Sequence, residues 1–92
     1  MAWVVRISTK AQKGLRPLPE VVRRTLALLL EDIADTGPVR GDWPNYGKLG
    51  PDRHHCHLKK GKPTYVAVWV EEHGKIKVIE VTYVGTHEKA PY

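Results

Sequence analysis

Residues 53 to 70 contain no acid but carry Arg53, His54, His55, His57, Lys59, Lys60 and Lys62, a concentration of cations and imidazoles suited to a polyanion. Farther along, the alternating stretch Ile79 to Val84 runs into Gly85-Thr86-His87 and on to Tyr92, which sets a titratable imidazole and a phenol at a strand end. Histidine changes charge near neutral pH. It can therefore exchange protons while a ribose 2′-hydroxyl attacks the adjacent phosphate and a 5′-oxygen leaves. That reaction needs a base, an acid and cations around the crowded phosphate, and it needs no cofactor. The bland alternative for His87 is a surface histidine on a frayed C-terminus.

His54-His55-Cys56-His57 invites a zinc reading. Strand geometry argues against it, because successive side chains point to opposite faces. His55 and His57 then share one face, while His54 and Cys56 share the other. No metal is expected; Cys56 reads as a small core residue beside His54 and Leu58, with His55 and His57 on the open face. Lys59, Lys60 and Lys62 fall in the following turn, with Arg53 at the strand's other end. They read either as a solvated hairpin tip or as phosphate contacts, which fix a nucleic acid without reading its sequence. Trp43, Tyr46 and Tyr92 offer stacking surfaces for bases.

The elements that must position these groups follow from periodicity. Trp3 to Ile7 reads as a first strand with Trp3, Val5 and Ile7 on one face. Ser8 and Thr9 offer an N-cap for a short basic helix from Lys10 to Arg16, broken by Gly14 and ended by Pro17. A second helix starts at Pro19, with Val22, Leu26, Leu29 and Ile33 forming its apolar stripe, and Gly37-Pro38 stops it. Residues 37 to 52 hold four glycines and three prolines, so they form a long connection, packed down in part by Trp43 and Tyr46. An antiparallel meander completes the chain: His54 to Leu58, Thr64 to Val70 as the central strand, and Lys75 to Val84. The expected fold is α+β, in the order β-α-α-β-β-β, an antiparallel sheet with both helices packed on one face and the other face partly open.

With 92 residues and 41% hydrophobic content, the chain has room for one domain, residues 1–92, and one modest core. Its longest apolar run, Leu26 to Leu30, is too short to cross a bilayer, and Arg6 interrupts the N-terminus before any signal-peptide core develops. A cytoplasmic location is expected, and the single cysteine, which excludes an internal disulfide, agrees with a reducing compartment. The net charge of +5 favours an acidic partner.

The β-α-α-β-β-β order, Lys48-Leu49 in the connection, the paired strands Pro63 to Glu71 and Lys75 to Val84, and the ending Val84-Gly-Thr-His-Glu-Lys-Ala-Pro-Tyr92 resemble the RelE/ParE superfamily of bacterial toxins. The Gly-Thr-His segment is similar to the HigB- and YafQ-like branches. This resemblance implies a type II toxin-antitoxin toxin, a ribosome-dependent mRNA endoribonuclease (mRNA interferase) that inhibits translation and is neutralised by a cognate antitoxin. By position it makes His87 the proton donor or acceptor, Tyr92 the terminal aromatic at the RNA and Lys48 the family's basic residue; the residues themselves add His57 and Lys60 to His87 as catalytic candidates. Lys48, Arg53, His55, Lys59, Lys62 and Tyr92 are the RNA-binding ones. The sequence departs from the family where many members carry arginines on the two central strands, since no arginine follows Arg53. A non-catalytic protein of the same fold, binding an acidic partner or inhibiting DNA gyrase, is the alternative implied.

Overall fold

The computed structural model describes residues 2–92. Strand β1, Val4–Ile7, is followed by helix α1, Thr9–Lys13, and helix α2, Glu20–Thr36. The rest is β2, Gly47–Lys48, then β3, Arg53–Lys59, β4, Tyr65–Glu71, and β5, Val78–Thr86, with a 3-10 turn at His87–Lys89. The strands form one sheet in the order β1-β5-β4-β3-β2. The α+β order expected from the sequence is the observed one, with two refinements.

First, the sheet is mixed. β1 pairs parallel to β5, whereas the other neighbours are antiparallel. A chain that leaves β1 through helices on one side of the sheet can return as a parallel neighbour, which a hairpin cannot do. Second, Gly47 and Lys48 add a two-residue edge strand to β3. The turn before β5 is also longer than periodicity suggested: Lys77 takes a positive φ of 57°, and the last strand starts at Val78.

Helix α1 is shorter than expected, ending at Lys13. The Ser8 hydroxyl caps it, accepting from the Ala11 N–H at 3.0 Å. Gly14 then lies so close to β5 that an added Cβ would stand 2.6 Å from the Val84 carbonyl oxygen. Helix α2 buries Val22, Leu26, Leu29 and Ile33, the predicted stripe. Each such side chain contributes about 1.5–3 kcal/mol on burial, an upper estimate against a compact unfolded chain. Gly37 ends the helix at φ 105°, with the Trp3 indole lying against it. The sheet answers with Cys56, Leu58, Ala67, Trp69, Ile79, Val81 and Val84, while Trp3, Val5 and Ile7 pack on the rim of this core.

The connection from α2 to β2 is tied down by polar anchors. Asp32 accepts from Arg40 Nη1 and from Trp43 Nε1, both at 2.9 Å, and these bonds hold its carboxyl below the usual range, the Trp43 bond most of all. Trp69 Nε1 donates to the Pro38 carbonyl at 3.0 Å. Among the described residues no helix is long and apolar enough to cross a membrane.

Candidate functional site

Alternation along β3 divides its side chains as expected. His54, Cys56 and Leu58 are buried toward the helices, while His55 and His57 are half-buried on the opposite face. His54 is fully enclosed. It stacks on Trp69 with ring centroids 5.9 Å apart, its Nδ1 lies 2.7 Å from the Tyr46 hydroxyl, and its Nε2 lies 2.9 Å from Glu71 Oε2. In the neutral ring Nε2–H donates to the carboxylate and Nδ1 accepts from the phenol, so both nitrogens are satisfied. This histidine is a core residue. Cys56 is equally enclosed, and burial pushes its thiol up to about 12, which removes it as a nucleophile near neutral pH.

The other face gathers rings. His57 and His87 meet edge to face with centroids 5.6 Å apart. Tyr92 stands at 5.8 Å from His87 and at 4.8 Å from His55. On β4, Val66 and Val68, both fully buried, are the partners of His57 and His55. Nδ1 of both His55 and His57 is shielded from solvent and makes no hydrogen bond within the protein. Burial lowers the pKa of His57, helped by the nearby charges of His87 and Lys60; burial lowers His55 too, with contributions from His57 and His87. Both are therefore neutral near pH 7 and able to accept a proton. His87 is exposed at the start of the 3-10 turn. Burial, followed by its neighbours Tyr83 and Cys56, raises the Tyr92 phenol, which keeps its proton at neutral pH.

Two glycines make room for the rings of Tyr83 and His55. A Cβ on Gly85 would stand 2.7 Å from the Tyr83 hydroxyl, and one on Gly47 would stand 3.1 Å from His55 Nε2. Gly85 and Thr86 were expected to follow a last strand ending at Val84. They lie within β5, where Gly85 opposes Val66 and leaves space for the Tyr83 ring. Tyr83 was not singled out from the sequence. The signal was present: a large residue and a glycine two apart occupy the same face of a strand.

Hollows flank the His57–His87 pair. One, about 200 Å³, is bounded by Pro44, His57, Leu58, Lys59 and Lys60; the other, about 630 Å³, by Gly61, Lys62, Pro63, Thr64, His87 and Glu88. The expected turn lysines thus border the imidazoles. Arg53 shares the face of His55 and His57, but at the far end of the strand. Lys48 is separated from them: it pairs with His54, so it projects from the sheet edge on the helix-bearing side. Trp43 and Tyr46, expected as stacking surfaces, are instead engaged with Asp32 and His54. Among the described residues no group of three or more His, Cys, Asp or Glu side chains is arranged to hold a metal ion.

Such a face suits a phosphodiester. In-line displacement puts the attacking and leaving oxygens on opposite sides of phosphorus, so two imidazoles bordering one phosphate can divide the roles of base and acid. His57, neutral near pH 7, is able to accept a proton, and the neighbouring lysines place positive charge beside it.

No protein-family model matches the sequence, and no match is found among curated proteins. Solved structures do match. A double arginine-to-alanine mutant of the E. coli toxin RelE in the free state superposes with a TM-score of 0.70 at 24% identity, over 92% of this chain and 83% of that one. The archaeal RelE-RelB complex from Pyrococcus horikoshii OT3 superposes with a TM-score of 0.62 at 18% identity, over 98% of this chain and 100% of the matched chain. The chain therefore has the RelE-like fold along nearly its whole length.

Proposed function

We propose that this protein is the toxin of a toxin-antitoxin pair and acts in the cytoplasm as a metal-independent endoribonuclease on ribosome-bound mRNA. The observation that carries this reading is the meeting of His57, His87 and Tyr92 on one sheet face beside the turn lysines. His57 takes the proton from the 2′-hydroxyl as it attacks phosphorus. His87 gives a proton to the departing 5′-oxygen, and the products are a 2′,3′-cyclic phosphate and a free 5′-hydroxyl. Lys60 and Lys59 balance charge on the phosphate, with Lys62 along the same border. Arg53 and His55 extend the RNA track, and Tyr92 supplies a ring for a base to stack on.

The RelE-RelB complex among the structural neighbours supports an antitoxin partner here. A basic face with the buried Val66 and Val68 beneath it suits an acidic segment that orders on binding. The test is cleavage of mRNA on purified ribosomes in the presence of a chelator, with chemical identification of the ends. Cyclic phosphate ends, and their loss in His87→Ala, are the expected outcome. Intact mRNA and unimpaired growth on induced expression would reject it.

A second reading rests on one departure: β4 presents Val66 and Val68 to the histidine face, and no arginine follows Arg53. A non-catalytic protein that binds an acidic partner or inhibits DNA gyrase fits that apolar strand. Inhibition of supercoiling without RNA cleavage would select it.

A further inference from the structure

We propose that Tyr83 is the positioning residue that aims the His87 imidazole at His57. Two hydrogen bonds fix the peptide that joins Thr86 to His87. The Tyr83 hydroxyl donates to the Thr86 carbonyl at 2.7 Å, and the His87 N–H donates to the Thr64 carbonyl at 2.8 Å. With its carbonyl and its N–H both held, this peptide has a fixed plane, and the plane sets the direction in which the His87 side chain leaves the backbone. The second bond is only the continuation of β4–β5 pairing, in which Tyr65 opposes Thr86. The first is specific to a phenol at position 83.

Reaching Thr86 requires the Tyr83 side chain to pass over position 85, where only glycine leaves the space. The ring also borders a hollow of about 330 Å³ lined in part by Pro17, Leu18 and Tyr65. Burial raises the Tyr83 phenol, so it remains a hydrogen-bond donor at neutral pH. His87 otherwise stands in an exposed three-residue turn that holds no buried residue. A single hydrogen bond therefore has leverage on where its ring rests.

The catalytic consequence rests on the nuclease reading; the positioning does not. Both are tested with Tyr83→Phe, which keeps the ring and removes the donor. Imidazole proton resonances in the full chain should lose the cross-relaxation between His57 and His87. The His57 titration midpoint should rise toward the ordinary imidazole value as the His87 charge moves off. Cleavage should lose about tenfold in kcat with KM within about twofold, the signature of misplaced chemistry rather than weakened binding. Gly85→Ala, which drives the phenol off Thr86 by steric contact, should give the same resonance changes. Tyr65→Phe, at the same end of the sheet, should leave them as in the wild type.

Unchanged His57–His87 cross-relaxation and unchanged titration in Tyr83→Phe overturn the proposal. Altered resonances with an unchanged kcat reject its catalytic consequence. If the wild-type protein cleaves no RNA, the nuclease reading fails alone and the resonances still decide the role of Tyr83.

Discussion

His54 and His57 stand three residues apart on one strand, and the sheet gives them opposite environments. His54 faces the helices, fully enclosed, with Tyr46 and Glu71 on its two nitrogens. His57 faces the other way, half-buried, with its Nδ1 unpartnered in the protein and another imidazole at its edge. An enclosed polar group whose every valence is met adds to the stability of the core, and it has no remaining capacity to engage a substrate. A partly enclosed one with spare capacity and a perturbed protonation equilibrium is where chemistry is expected. The lesson is that histidine density along a chain says little until the faces are separated.

The sharpest way to break this contrast is to remove one histidine from each side. His87→Gln, on the ring-lined face, should lower RNA cleavage by about 100- to 10,000-fold while leaving the urea midpoint essentially unchanged. Comparable loss of stability in that variant would mean that this face is structural too. His54→Ala should do the reverse, costing about 3 kcal/mol, because it opens a cavity beside Trp69 and removes the partner of the Tyr46 hydroxyl. Denaturant unfolding measures it, and a cost under about 1 kcal/mol would show that the enclosed network contributes little.

pH provides a gentler discriminator. Both His55 and His57 are held below their ordinary value near about 6.5, so the unfolded chain binds protons that the folded one refuses. Their contribution is fully present above that ordinary value and is lost as pH falls through the lowered folded midpoints. Stability should therefore decline on acidification below about pH 6.5, and the double variant His55→Gln/His57→Gln should flatten the curve in that window. An unaltered curve would show that the two rings titrate as if in water. The smallest effect expected is that of Lys60→Ala, which should reduce the salt dependence of RNA binding by about one unit of log–log slope. It should also move the His57 midpoint upward, since Lys60 contributes to its depression.

Much of this was legible in the sequence, for reasons tied to particular residues. The stripe Val22, Leu26, Leu29 and Ile33 fixed α2 because nothing local competes with it. Strict alternation from Arg53 to Leu58 separated the two histidine faces. Parallel pairing of β1 with β5 was not legible, because the partner of a strand is set by helices packing between distant segments rather than by the strand's own composition. The fate of Trp43 and Tyr46 was hidden for a related reason. Nothing in a Gly/Pro-rich connection announces that Asp32 and His54 wait for those aromatic donors. Lys48 shows the limit of mapping by resemblance, since one step of register along a two-residue strand decides which side of the sheet it serves.

The pairing of β1 with β5 also bears on how the molecule is made. Val4 finds Val78 only after the whole intervening chain exists, so β1 gains its sheet neighbour late. The strand that receives it leads directly into His87 and Tyr92. The β1–β5 pairing and the ring cluster both depend on this strand, and a chain interrupted before β5 carries neither.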